Sequence, residues 1–400
     1  MKKIKFVNLE EVCSEIIDCP HSTPKWLEKG IPVIRNYNLV NGYIDKNTLS
    51  YVDEATYEER IKRGEPIEDD IIISREAPMG AAGIVPSNFK CCLGQRVVLL
   101  KPNKIKVDPY YLLYAFLSKP VQNQISQINK TGSIVSNLNI KDLKKLQIPT
   151  IDLRSQRIIA NKVKNIDSKI ANNNAISKEL ESMAKTIYDY WFLQFEFPDK
   201  DGKPYKSNGG KMVWNDQLKQ EIPEGWEVRK LKDIIVENPK SKIKVKEAQQ
   251  DHFGDIPFFT SGQSILSMDE KLVTGMNCYL NTGGNADVKY FYGPASYSTD
   301  TWSIKGKVFM EYLLPFILKN LQPSMDDKFF QGTGLRHLQK PLLKDYPILV
   351  PNEEIRSKFI PLVSDVFRKV SDSYRENIEL EKMRNFLLPM LMNGQVTIKD

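Results

Sequence analysis

IANKVKNIDSKIANNNAISKELESMAKTI, residues 159–187, places apolar residues at alternating intervals of three and four. Ile159, Val163, Ile166, Ile170, Leu180, Ala184, Ile187 and then Trp191 form one stripe, broken at Asn173 and Ser177. Such spacing is the a/d seam of a coiled-coil helix. Shifted by 200 residues, the pattern returns as Phe359, Val363, Val366, Val370, Ser373, Asn377, Leu380, Arg384, Leu387 and Leu391. The polar interruptions coincide, Asn173 with Ser373 and Ser177 with Asn377. Agreement in the exceptions is harder to reach by chance than agreement in the leucines. Arg384 alone departs from the apolar end, and neighbouring Met383 is expected to cover for it.

Each helix spans about 40 residues, roughly 60 Å at 1.5 Å per residue. A stripe of that length must be buried, and the nearest complementary surface is its own copy. The copies are therefore expected to pack as an antiparallel pair with the central Asn and Ser positions fixing register. The competing arrangement has each helix packing on its own domain or on another subunit. The entrances also match, IPTIDLRS at 148–155 with VPNEEIRS at 350–357, here at a shift of 202. The difference of two residues is expected to be absorbed in the first turn, where Pro361 kinks or restarts the second helix.

Upstream, YLLYAFL (111–117) pairs with YLLPFIL (312–318) as a short buried helix, and TGSIVSNL (131–138) with GTGLRHL (332–338) as a glycine-containing loop. The diverged stretches between them read as strands bounded by Gly, Pro and Asn: IPVIR, DIIIS and QRVVLL, then IPFFTSG, NCYLNTGG and DVKYFYG. The polar run PDKDGKPYKSNGGK (198–211) reads as a loop joining the halves, and EIPEGWEVRKL opens the second domain. The fold class is α+β, with a pseudo-twofold repeat of two α/β domains joined by two long antiparallel coiled-coil helices. The expected boundaries are 1–150, a central helix over 151–197, a connecting loop over 198–224, 225–350, and a C-terminal helix over 351–394.

Composition is ordinary for a globular protein, 41% hydrophobic and 27% charged. No apolar run reaches about 18 residues and MKKIKFVNLE lacks an apolar signal core, so a cytoplasmic protein with no membrane contact is expected. The five cysteines contain no C-x-x-C pair and are read as buried thiols. The net charge is +7, and residues 101–170 carry thirteen Lys/Arg against four Asp/Glu. That bias suits a polyanion, most simply nucleic acid.

No catalytic constellation is found: no G-x-x-x-x-G-K-[ST], H-E-x-x-H or G-x-S-x-G, and no Asn/Asp-Pro-Pro-aromatic motif. His21, His252 and His337 have no metal-ligand spacing. GGNA at 283–286 lacks the strand-then-helix context of a phosphate loop. A non-catalytic chain without metal or cofactor is expected. Two related domains on a rigid frame suit a bipartite duplex site, each reading a few base pairs in the major groove.

Over essentially its whole length the chain resembles the specificity (S) subunits of type I restriction-modification systems. The resemblance rests on GIPVIRNYNLVNG (30–42), REAPMGAAGIVP (75–86), TGS-x-x-x-NL (131–138), FPDKDGKPYK with IPEGWEVRKL (197–231), and STDTW (298–302) before GTGLRHL. It implies two target-recognition domains, each binding half of an interrupted, asymmetric double-stranded DNA site. It further implies that the helices set the spacer and hold two methyltransferase subunits, which use S-adenosylmethionine to methylate adenine N6. Restriction subunits that need ATP and Mg²⁺ complete the implied complex. The alternatives are a specificity module of another restriction-type enzyme, or a coiled-coil adaptor with no DNA role.

Candidate DNA contacts in the first domain are Arg35, Asn36, Asn38, Arg75, Lys130, Thr131, Ser133 and Asn137. In the second they are Ser261, Gln263, Asn285, Lys289, Thr299, Asp300, Arg336 and His337. Arg suits guanine and Asn adenine in the major groove, while Lys and Ser suit phosphates. Turn chemistry competes for Asn36 and Asn38, and a cap or tight turn for STDT. The helix-pair positions are Ile159, Val163, Ile166, Ile170, Leu180, Ile187, Val363, Val366, Val370, Leu380 and Leu387. Tyr188, Tyr190, Trp191 and Phe192 are expected to pack the end of the first helix.

Overall fold

The computed structural model describes residues 4–131, 137–250 and 254–392. The chain divides into two compact units, the first of residues 1–168 with 383–400 and the second of residues 169–382. Each unit is built on the same plan.

In the first, Lys5–Asn8 pairs antiparallel with Gln147–Thr150 at the base. A four-stranded antiparallel sheet follows in the order Cys13–Asp18, Val97–Pro102, Ile71–Ser74, Ala82–Ile84. Beside it lies a three-stranded sheet, Ser50–Val52, Ile31–Ile34, Cys92–Leu93, whose last pair is parallel. The second unit repeats this order. Glu227–Lys230 pairs with Pro347–Val350; Ile235–Glu237, Thr301–Gly306, Met276–Asn281 and Val288–Tyr292 form the four-stranded sheet. Ile265–Met268, Ile256–Phe259 and Ser296–Tyr297 form the three-stranded one, again with a parallel last pair.

The central strands are apolar on both faces because both are covered. Ile71 and Ile73 join the core under the helix Pro109–Leu117, while Ile72 joins a second core on the opposite side of the sheet. Asp108 starts that helix by accepting from the Tyr111 N–H at 3.0 Å, with Pro109 in the first turn where no N–H is required. The region 198–224, expected as a loop, also carries an antiparallel pair of strands, Met212–Asn215 with Gln220–Pro223.

Two long helices, Leu153–Tyr188 and Glu353–Met392, close the plan. Asp152 accepts from the Ser155 N–H and Asn352 from the Ile355 N–H, both at 3.0 Å. The caps are therefore 352 − 152 = 200 residues apart, and so are the strand ends Thr150 and Val350 that precede them. The 202-residue match of the entrances is a coincidence of lettering. No residues need absorbing, and the second helix runs through Pro361 without restarting. Pro361 is exposed, so the Ser357 carbonyl it leaves without an intrahelical donor is placed for water to satisfy.

The helices run antiparallel within each unit. In the second, the Asn173 amide donates to Asn377 Oδ1 at 2.9 Å and to Glu376 Oε2 at 2.8 Å, while Asn377 donates to Asn174 at 2.8 Å. Further along, Tyr188 and Phe192 meet Phe359 with ring centroids 6.3 and 4.8 Å apart. Tyr188, Trp191, Phe192, Val363 and Phe367 belong to the main core of that unit, with Ile187 and Val366 packed against it, whereas Tyr190 is exposed. In the first unit Ile159 and Val163 share a core with Leu387, Leu388 and Leu391. Ile166, Ile170, Leu180, Val370 and Leu380 are half-buried.

Arg384 is not covered by Met383, which is 52% exposed. Instead it reaches Asp167 at 2.8 Å, a carboxylate only 3% exposed that also accepts from the Tyr114 hydroxyl at 2.8 Å. The stripe tolerates a charge there because the charge has a buried partner.

Candidate nucleic-acid interface

In both units the loops that follow the expected strands meet at one end of the four-stranded sheet, through main-chain bonds repeated nearly atom for atom. The Arg75 N–H donates to the Arg96 carbonyl at 2.9 Å; in the second unit Thr282 donates to Asp300 at 3.2 Å. The glycine-containing loop returns to the same place, with Leu138 donating to the Arg75 carbonyl and Leu338 to the Thr282 carbonyl, each at 3.0 Å. Residues 75, 96 and 137 thus stand where 282, 300 and 337 stand. Main-chain bonds fix these positions whatever side chains they carry.

The first unit's site is a cleft of about 340 Å³ lined by His21, Arg75, Glu76, Gln95, Arg96 and Asn137. Arg75 is its frame. Its Nη1 meets Asp18 Oδ1 at 2.7 Å, its Nε donates to the Leu138 carbonyl at 2.9 Å, and the side chain is 11% exposed. Gln95 donates to the His21 carbonyl at 2.7 Å, and His21 Nε2 lies 3.3 Å from Asp18. Arg96 has a left-handed backbone (φ 66°) and a side chain 58% exposed, with Nε 3.2 Å from Glu76.

Beside the cleft, Arg35 is stacked by Trp26 and Tyr37, its guanidinium 5.1 and 4.8 Å from their rings. A cation held over aromatic faces is pre-set for an anionic or π-faced ligand. Gly94 adjoins it because a Cβ there would stand 2.7 Å from Arg35 Cγ and 2.9 Å from the Ile34 carbonyl oxygen.

The second unit gathers six of its eight expected residues. Ser261 donates its hydroxyl to the Asp300 carbonyl, as does Thr282 at 2.7 Å. Arg336 lies 3.3 Å from Asp326 Oδ1 and from Asn285 Oδ1, and its carbonyl accepts from Gly284 at 2.9 Å. His337 is exposed on the short strand His337–Leu338. Thr299 is half-buried, its N–H donating to Ile243 at 3.0 Å, and the STDT segment is a tight turn closed by Thr301 N–H to the Ser298 carbonyl. Gln263 is exposed on the loop that carries Ser261.

Beneath this loop Trp302 Nε1 donates to Glu237 at 2.8 Å, and Lys344 Nζ contacts the same carboxylate at 2.5 Å. The Lys344 hydrogen bond, with help from Trp302, holds the Glu237 carboxyl below its usual range. Burial holds Lys340, stacked 5.1 Å over the Trp302 ring, below the ordinary lysine range.

Four expected readers have their polar groups engaged within the fold, Asn36 and Asn38 buried and Arg75 and Lys289 half-buried. Asn38 is fully buried; its Oδ1 accepts from the Arg35 N–H at 2.8 Å and its amide donates to both oxygens of Thr48. Asn36 donates to the Glu76 and Ala77 carbonyls at 3.2 and 2.8 Å. Arg75 frames the cleft, and Lys289, 11% exposed, is spent on Asp287 at 2.7 Å and the Thr260 carbonyl at 3.3 Å. Each helps to form a loop, and Arg75 also lines the cleft. Ser133 and the side chains of Lys130 and Thr131 lie outside the described residues.

Gln95, Arg96 and His21 escaped the reading of the sequence. The signal lay in the repeat: Gln95 and Arg96 precede the strand VVLL as Thr299 and Asp300 precede TWSI, and only the second pair was singled out. Among the described residues no cluster of three or more His, Cys, Asp or Glu could hold a metal ion. Among them no helix is long and apolar enough to cross a membrane.

Residues 1–182 and 223–382 match the family model described as the type I restriction modification DNA specificity domain. The type I restriction enzyme MjaIX specificity subunit of Methanocaldococcus jannaschii is 26% identical over 409 residues, covering 96% of this chain and 88% of that protein. The crystal structure of the S subunit of a type I restriction-modification system from M. genitalium shares the fold, with a TM-score of 0.60. That likeness spans 100% of this chain and 97% of that one at 15% identity.

Proposed function

This chain belongs to the type I restriction-modification DNA specificity family, and from that premise we propose that its two units each read one half of an interrupted, asymmetric DNA site in the major groove. The observation that carries the proposal is the sheet end built twice. One main-chain frame presents Gln95, Arg96 and Asn137 in the first unit, and Thr299, Asp300 and His337 in the second. A shared frame with different side chains is what two readers of different sequences require. Arg35, Ser261, Gln263, Asn285 and Arg336 flank these positions and contribute base or phosphate contacts.

The long helices set the gap between the half-sites and carry the partners. Two methyltransferase subunits, using S-adenosylmethionine, methylate adenine N6, and restriction subunits using ATP and Mg²⁺ join where a nuclease is present. This chain performs no chemistry of its own and acts in the cytoplasm, where those partners and the DNA are. Co-expression with its methyltransferase partner, followed by mapping of methylated adenines, tests the proposal. A two-part motif with a constant gap is expected. Methylation without a two-part motif, or unchanged by deletion of this chain, refutes it.

A further inference from the structure

The residue just before the last strand, in chain order, of each four-stranded sheet is Arg96 in the first unit and Asp300 in the second, and the two occupy the same place in the repeat. Their charges are opposite. Arg96 is joined to Glu76 through Nε at 3.2 Å, which among the described residues leaves its two terminal nitrogens for a ligand, and Glu76 lines the same cleft. A guanidinium and a carboxylate side by side match the major-groove edge of one base pair. Guanine offers O6 and N7 as acceptors, and its partner cytosine offers the N4 amino group as a donor. A phosphate contact fits less well, because the neighbouring carboxylate repels a phosphate.

The left-handed backbone at Arg96 aids the presentation. Its carbonyl is tied to the Arg75 N–H, and Arg75 is in turn held by Asp18 and the Leu138 carbonyl. The backbone that bears the side chain is therefore fixed while the side chain stays 58% exposed. In the second unit Asp300 is exposed and its carbonyl accepts from the Thr282 N–H and Oγ1 and from Ser261. That main-chain anchoring leaves the carboxylate as an acceptor. An acceptor at this place selects a base with an exocyclic amino group, cytosine N4 or adenine N6.

Resting on the two-reader function above, we infer that this one position sets the base choice in each half-site. Arg96, paired with Glu76, selects a G·C pair with guanine beneath the arginine, and Asp300 selects an amino-bearing base.

The test is the methylome of the intact complex carrying Arg96→Gln, Arg96→Lys or Asp300→Ala. Arg96→Gln is expected to relax one guanine position of the first half-site, lowering its discrimination on the order of 10- to 100-fold, and to leave the second half-site unchanged. Asp300→Ala is expected to relax one cytosine or adenine position of the second half-site only. Arg96→Lys keeps a donor for guanine but loses the guanidinium fork, so discrimination at that guanine is expected to be weaker than wild type and stronger than in Arg96→Gln. A wild-type motif from Arg96→Gln, or a change at the wrong half-site, overturns the inference. If Arg96→Gln abolishes methylation altogether, the Lys variant and Asp300→Ala still decide it. Absence of any two-part motif in the wild type would instead overturn the two-reader function itself.

Discussion

Replacing Arg384 by alanine strips a buried carboxylate of its charge partner, and the structure sets the scale of the loss. Asp167 is 3% exposed; Arg384 Nη1 holds its Oδ1 and the Tyr114 hydroxyl its Oδ2, both at 2.8 Å. Without the arginine, only the neutral hydroxyls of Tyr114 and Tyr43 remain for a charge shut away from water. Breaking a buried pair from one side costs about 3–5 kcal/mol. Arg384 is itself 18% exposed, so water can follow into its place and the low end applies. A loss of about 3 kcal/mol is about 150-fold in the opening equilibrium. Hydrogen exchange should read it as that loss of amide protection in peptides covering 111–117 and 157–167, with urea unfolding as the companion measurement. The double variant Asp167→Asn, Arg384→Met removes both charges while keeping an acceptor for Tyr114, and should recover at least half of the loss. If Arg384→Ala costs under about 1 kcal/mol, the value of an exposed pair, or if the double variant is worse than the single, the reasoning is wrong.

Asn173 and Asn377, 3% and 8% exposed, form the polar centre of the second unit's helix pair. Asn173→Ala should cost about 1–3 kcal/mol by leaving the Asn377 carbonyl without its donor. Asn173→Leu with Asn377→Leu should restore or raise stability in urea unfolding, and a double variant worse than the sum of the singles refutes the pairing. For Glu237 the folded-state carboxyl is held below its ordinary value of 4.5 by Lys344, so the stabilisation is present above that value and lost as pH falls through the lower folded one. Lys344→Met should therefore be less stable than wild type at neutral pH and converge with it as pH falls through the lowered folded value. A stability gap that persists in acid removes Glu237 as the cause.

The long helices were the most legible part of the fold because a seam must repeat its spacing over many turns, and few other structures require that. The central Asn and Ser positions were expected to lie near each other, and the Asn173 amide does donate to Asn377. Entrances misled, because eight residues matched at a shift of 202 while caps and strands repeat at 200. Hydrogen bonding at Asp152 and Asn352, not likeness of letters, decides where a helix starts. At the site the sequence leaves exposed and engaged side chains indistinguishable for one reason. An asparagine that bonds to a base and one that bonds to a carbonyl look alike in sequence, and burial alone separates Asn38 from Asn137. Arg75 and Arg96 divide in the same way, one arginine building the cleft and the other exposed in it.

That division explains how one frame can serve two readers. Stability at the sheet end comes from N–H to carbonyl bonds at residues 75, 96 and 138, and again at 282, 300 and 338. Those groups belong to every residue type except, for the N–H, proline. Side chains at 96 and 300 can therefore change charge while the bonds around them stay within a few tenths of an ångström. Arg75 marks the limit of that freedom, because in the first unit its side chain also holds the loop through Asp18 and the Leu138 carbonyl. Its counterpart Thr282 contributes a hydroxyl to the Asp300 carbonyl instead. Diversity is then cheap at the residue before the strand and costly at the residue it bonds to, which is why a specificity change should be sought at 96 and 300 before 75 and 282.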